Sequence, residues 1–331
     1  MSREITSAER PPQAMTALTA LTTGLSPAVW GTTYLIASEL LPDQRPLLAA
    51  TIRALPVGLA IVAWSSRRPG GVWRPTGDWW WKAAVLGTLN IGLFFALLFV
   101  AAFRLPGGVA ATAGAVQPLL AAAVAALVLG ERFTARIALA GGAGVAGVAL
   151  LVLGPEATLD PVGLAAALGG AASMAVGVVL TKHWGRPVGL LTFTGWQLTA
   201  GGLVLLPLAL AIEGLPPALS TTNVVGFVWL AVIGTGLAYV NWFRGIAVLP
   251  VAAAGFLGLL SPLVATIAGW LVLGQRLTPV QLIGMLLVLA AVVAPQLADR
   301  PRSTTADRFG GWRFPTPVRP VMWWAGSPRS R

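Results

Sequence analysis

The sequence predicts an all-α polytopic membrane protein whose ten transmembrane helices form two inverted five-helix repeats. Three observations carry that prediction. Of 331 residues, 56% are hydrophobic and only 10% charged, with a mean hydropathy of +0.79, which leaves too little polar surface for a soluble globule. Apolar runs of about 20 residues, the length that crosses a bilayer, recur ten times. The chain also matches itself at an offset of 144 positions.

Residues 1–16 read as a short cytoplasmic tail, because Glu4, Glu9 and the Pro11-Pro12 pair do not suit a signal peptide. The spans cover approximately 17–40, 46–65, 79–103, 106–130 and 134–154 in a first repeat, 17–155. They continue as 161–182, 188–212, 222–247, 250–274 and 278–297 in a second repeat, 156–298. Ala, Leu and Gly dominate these runs, and the ten-residue alternation of a transmembrane barrel is missing. Residues 299–331 are rich in Pro, Arg and Gly and hold Trp312, Trp323 and Trp324. They read as a basic, disordered cytoplasmic tail, with interfacial attachment as the alternative. Excluding that tail and Arg53, eleven Lys and Arg residues fall on the N-terminal side of the membrane and three on the other. The bias places both termini in the cytoplasm.

Leu105–Thr134 and Leu249–Thr278 are the clearest copies of the repeat. Each opens on Leu-Pro, carries a central proline (Pro118, Pro262) four residues after a glycine (Gly114, Gly258), and closes on Leu-Val-Leu-Gly-x-Arg-x-Thr. From 99–134 to 243–278 there are fourteen identities in thirty-six positions without a gap. An odd number of helices per repeat makes the halves cross the membrane in opposite senses, the arrangement of carriers that bind substrate at the midplane between them.

Composition also removes classes of chemistry. There is no cysteine and one histidine, His183, so thiolate or histidine metal sites, disulfides and nucleophilic triads are not expected, and no cofactor is. The net charge of +11 sits in connections and tail, where topology rather than nucleic acid accounts for it. None of the eleven acids is central in a span, which favours facilitated movement over proton coupling. An embedded enzyme would need clustered acids or metal ligands at the membrane face, and the sequence offers none.

The prolines lack the N–H that would bond to Gly114 and Gly258, leaving a carbonyl free in mid-span. Gln117 and Ser261 are repeat mates on the same helix faces. These faces either line a binding site or only let helices pack. Trp30, Thr33, Tyr34, Asn90, Phe94, Met174, Tyr239 and Trp242 lie at similar depth and would complete an amphipathic cavity. Arg53, with Gln197 as its repeat mate, would snorkel, pair with Glu39 or meet a substrate carboxylate.

Trp30-Gly31, Arg53, the Pro118 span ending in LVLGERFT, Trp196-Gln197 and LSPLVATIAGWLVLGQRLTPVQLIG resemble the drug/metabolite transporter superfamily, specifically its EamA-like ten-helix carriers, over residues 20–297. The pattern is most similar to aromatic amino-acid and methyl viologen exporters of the YddG type. Gln275 departs from the family's usual loop acid, and Met174 from a frequent aromatic. The resemblance implies a multi-pass exporter of the bacterial inner membrane, working by alternating access. Its small-molecule substrate would be a hydrophobic or aromatic amino acid or related metabolite, with lipophilic cations as the alternative.

Overall fold

The computed structural model describes residues 13–42, 45–68, 72–105, 107–152, 160–215, 218–273 and 278–298. Side chains within these ranges are described except at 13–16, 34, 37–38, 102–103, 107–109, 152, 273 and 297–298. The side chain of Tyr34, Gln275 and the tail from residue 299 therefore lie outside the described residues.

All regular structure among the described residues is helical. The first half holds α1 (Gln13–Leu40), α2 (Pro46–Ser66), α3 (Trp79–Gly87), α4 (Phe94–Arg104), α5 (Gly107–Gly114), α6 (Gln117–Leu129) and α7 (Ala135–Val152). The second half holds α8 (Pro161–Trp184), α9 (Leu190–Ile212), α10 (Thr221–Val228), α11 (Ala238–Val248), α12 (Val251–Leu257), α13 (Leu260–Leu273) and α14 (Pro279–Ala298). Eight described helical runs, 18 to 28 residues long, are apolar enough to cross a membrane, and Ala135–Leu151 is a shorter apolar helix.

Four of the spans read from the sequence are not uniform helices. The third and eighth pass through wider π-helical segments, Thr88–Leu93 and Trp229–Leu237, at overlapping repeat positions that include Gly92 and Gly236. The fourth and ninth break in two, α5 from α6 and α12 from α13. The expectation of uninterrupted spans over 106–130 and 250–274 is thereby corrected: Pro118 and Pro262 sit in the first turn of a new helix, where a missing N–H costs least. The breaks tighten through three-residue bonds, Val116 N to Ala113 O at 3.4 Å and Leu259 N to Phe256 O at 3.1 Å. Gly258 O accepts Ser261 N at 3.0 Å, so the expectation of an unpaired carbonyl there is also wrong; the tight turn supplies another donor.

Small residues set the packing. α2 packs extensively on α9, and α7 on α14. A Cβ on Gly58 would lie 2.6 Å from Thr199 N, and one on Gly202 would lie 2.6 Å from Leu55 Cβ. Leu55 and Thr199 are themselves repeat mates, so the contact is reciprocal. Gly147 and Gly284 let α7 and α14 approach in the same way, where a Cβ on one would stand 2.9 or 2.7 Å from the other's carbonyl.

The connections are capped by acids. Asp160 accepts from Val162 N and Gly163 N at 2.7 and 3.0 Å at the start of α8, and the Gly163 bond foremost holds its carboxyl below the usual range. Glu213 accepts Leu47 N and Leu48 N at 2.7 and 2.8 Å, capping α2 from the other half. Gly130, at φ +68°, ends α6 in the left-handed conformation that glycine adopts without strain. The next residue, Glu131, accepts Val251 N at 3.1 Å and pairs with Lys182 at 2.9 Å, which ties the ends of α6 and α8 to the start of α12.

Candidate functional site

Both broken helices border one cavity of about 580 Å³. Its wall is assembled from repeat mates: Trp30 and Met174, Phe95 and Tyr239, Leu98 and Trp242, Gly114 and Gly258, Gln117 and Ser261, Pro118 and Pro262. A Cβ on Gly114 would meet nothing within 4 Å, so that glycine leaves open space in the wall. On the α1 side, a Cβ at Gly31 would stand 2.5 Å from Ser261 O, which is why α1 can press against the start of α13.

Thr33, Phe94 and Arg53 also line the cavity. Trp30 packs against Tyr239 and Trp242 with ring centroids 5.1 and 5.3 Å apart, and its Nε1 donates to Gly234 O at 2.9 Å. These rings form one continuous aromatic side. Met174 is 2% exposed and packed within the core, the bulk of an indole being supplied by its mate instead.

Arg53 is 3% exposed. Its Nε donates to Thr235 Oγ1 at 3.0 Å and its Nη2 to Gly234 O at 3.3 Å. The guanidinium carbon stands 4.4 Å from the Phe95 ring centroid. These partners are neutral, so the snorkelling reading gives way to a cation held inside the protein. Glu39 is on an exposed position of α1 and is not part of the described cavity wall.

Asn90 was expected in the cavity and sits elsewhere. It is fully buried, and its Nδ2 donates to Gln197 Oε1 at 2.8 Å and Thr181 Oγ1 at 3.0 Å. Polarity in an apolar span marks a partner as readily as a pathway, and here the partners are other helices. Phe95, Phe99 and Arg45 belong to the described wall and were not singled out from sequence. The repeat itself could have found Phe95, the mate of Tyr239. Arg45, whose Nη1 donates to Leu215 O at 2.6 Å, carried no signal beyond its charge.

A sequence model described as the EamA-like transporter family matches residues 14–153 and again residues 161–294. The protein PecM of Dickeya dadantii is 45% identical over 273 residues, 82% of this chain and 90% of its own length. The uncharacterized inner membrane transporter YedA of Escherichia coli K12 is 28% identical over 272 residues, 80% of this chain and 86% of its own. A protein crystal structure superposes with a TM-score of 0.72, covering 85% of this chain and 98% of that one, at 20% identity, and shares the fold alone.

Proposed function

The chain belongs to the EamA-like transporter family, and from that premise we propose a facilitative, alternating-access exporter of amino acids and related metabolites, hydrophobic and aromatic ones foremost. It is a multi-pass protein among bacterial transporter relatives. The finer reading puts it in the bacterial inner membrane with both termini cytoplasmic, as the Lys and Arg bias favours.

The observation that carries this reading is the cavity at the breaks of α5–α6 and α12–α13, walled by mates from both halves. That pairing, the reciprocal Gly58 and Gly202 contacts and the twofold family match support two inverted five-helix repeats, ten spans in all, with substrate between them. The described wall includes no acidic side chain, which supports gradient-driven rather than proton-coupled movement. The aromatic side formed by Trp30, Tyr239 and Trp242 also suits a second reading, a lipophilic cation held against ring faces.

Counterflow in proteoliposomes against the twenty amino acids tests the exporter. Saturable, trans-stimulated exchange of the apolar and aromatic members is expected, and its absence for all twenty would remove the amino-acid assignment. Accumulation driven by an imposed proton gradient, with no substrate gradient, would overturn the facilitative mechanism. Gln117→Leu and Ser261→Leu should each impair exchange while the protein remains folded. Full exchange by both would reduce these faces to packing.

A further inference from the structure

Among the described residues, the cavity wall carries one sign of charge. We infer that its preferred substrate is an apolar or aromatic organic anion, held by its carboxylate at Arg53, with no requirement for an α-ammonium group. This rests on the exporter reading above and narrows its substrate.

Three observations carry the inference. First, the ionisable side chains of the described wall that bear charge at neutral pH are Arg45 and Arg53, both cations. A cleft with low-dielectric walls and a single sign of charge concentrates ligands of the opposite sign. Second, the guanidinium of Arg53 is only partly engaged. Its bonds to Thr235 and Gly234 use Nε and Nη2, and among the described residues Nη1 meets no hydrogen-bond acceptor. A buried cation is costly until an anion joins it, and the planar fork is shaped to take a carboxylate through two parallel bonds. Third, Trp242, 1% exposed and part of the same wall, has an Nε1 that is buried without an acceptor among the described residues. An acceptor on a ligand that reached this nitrogen would satisfy a donor that the described residues leave unpaired.

The aromatic side has a role under this reading as well. A ring or alkyl body fits against Trp30, Tyr239 and Trp242 while the carboxylate reaches Arg53. An ammonium against the same rings would face Arg53 and Arg45 with no described carboxylate beside it, so like-charge repulsion opposes the cation–π attraction. An amino acid enters by virtue of its carboxylate. Blocking its ammonium by acetylation, or removing it, should not impair movement.

Counterflow by the wild-type protein separates the classes: an aromatic amino acid, its N-acetyl derivative, the corresponding deaminated arylalkanoic acid, the decarboxylated amine and methyl viologen. The acid and the N-acetyl derivative should exchange at least as fast as the free amino acid, with little exchange of the amine or the dication. Arg53→Gln, with elution as a folded monodisperse protein as control, should weaken exchange of the acids by roughly ten- to a hundred-fold, the range of one charge-assisted hydrogen bond. Arg53→Lys should restore part of it. Exchange of the amine or methyl viologen as fast as the acids would overturn the inference, as would a requirement for a free ammonium. Unchanged acid selectivity in folded Arg53→Gln would also overturn it. Exchange with no preference by charge leaves the exporter standing and removes only this inference, whereas no exchange of any compound removes the exporter reading and the inference with it.

Discussion

Arg53 and Gln197 occupy equivalent positions in the two repeats, and each reaches into the π-helical segment of the other half. Arg53, on α2, bonds to Gly234 and Thr235; Gln197, on α9, bonds to Asn90, which is the mate of Gly234. The backbone arrangement is shared, and side-chain volume decides the outcome. Where Asn90 stands, its amide fills the space and its Nδ2 bridges Gln197 and Thr181, with Asn90 Oδ1 and Gln197 Nε2 left without partners among the described residues. Where Gly234 stands, no side chain intrudes, and the bare carbonyl takes both Trp30 Nε1 and Arg53 Nη2. One location has become a seal between helices, and the other holds two residues of the cavity wall, Trp30 and Arg53.

The comparison depends on α2 and α9 lying close enough for each to cross. Gly58→Leu attacks that closeness directly, because even a Cβ would be 2.6 Å from Thr199 N, a backbone atom that cannot swing aside. Loss of folded protein is expected in size-exclusion chromatography from detergent. A wild-type elution profile and melting temperature would show that the α2–α9 contact does not set the geometry.

Asn90→Ala opens the seal. It strands the carbonyl of Gln197 in a buried setting, at about 1–3 kcal/mol, so thermal unfolding should move down while exchange per folded molecule stays unchanged. A collapse of exchange at an unaltered melting temperature would move Asn90 into the transport pathway. The smallest effect is expected at the other location. Thr235→Val removes the acceptor of Arg53 Nε, costing about 1 kcal/mol, and should raise the half-saturating concentration of an aromatic acid roughly fivefold with the maximal rate retained. No change in affinity would mean that Gly234 and Phe95 suffice to place the guanidinium.

How much of this was legible beforehand differs by scale. The apolar runs, eight of which are described helical runs long and apolar enough to cross a membrane, the offset of 144 and the paired positions of Pro118 and Pro262 are read from run length and identity between copies, which are local properties of the chain. Part of the described cavity wall was legible with them, including the mates Gly114 and Gly258, Gln117 and Ser261, and Pro118 and Pro262, while wall residues such as Phe95, Leu98 and Ala167 were not. That the helices break at the prolines was not legible, since it depends on turns at Ala115–Val116 and Gly258–Leu259 closing on three-residue bonds. Nor was the fate of Asn90 and Arg53. Both are polar residues in apolar spans, and only contacts more than 100 residues away in sequence separate them. The presence of the family is visible in LVLG-x-R-x-T; part of its physical cause, a left-handed glycine followed by an acid that caps another helix, is not.

The covalent fusion of the two copies has a consequence of its own. Were the cavity made by two identical five-helix chains related by a twofold axis, any residue admitted at position 53 would arrive with its twin at position 197. An arginine would then enter as a pair of cations in one apolar interior, each raising the other's cost. With both copies on one chain, a single codon can change alone. The protein can hold one buried cation at Arg53 while the equivalent position carries an uncharged glutamine, and the charged residues of the described cavity wall, Arg45 and Arg53, both come from the first half.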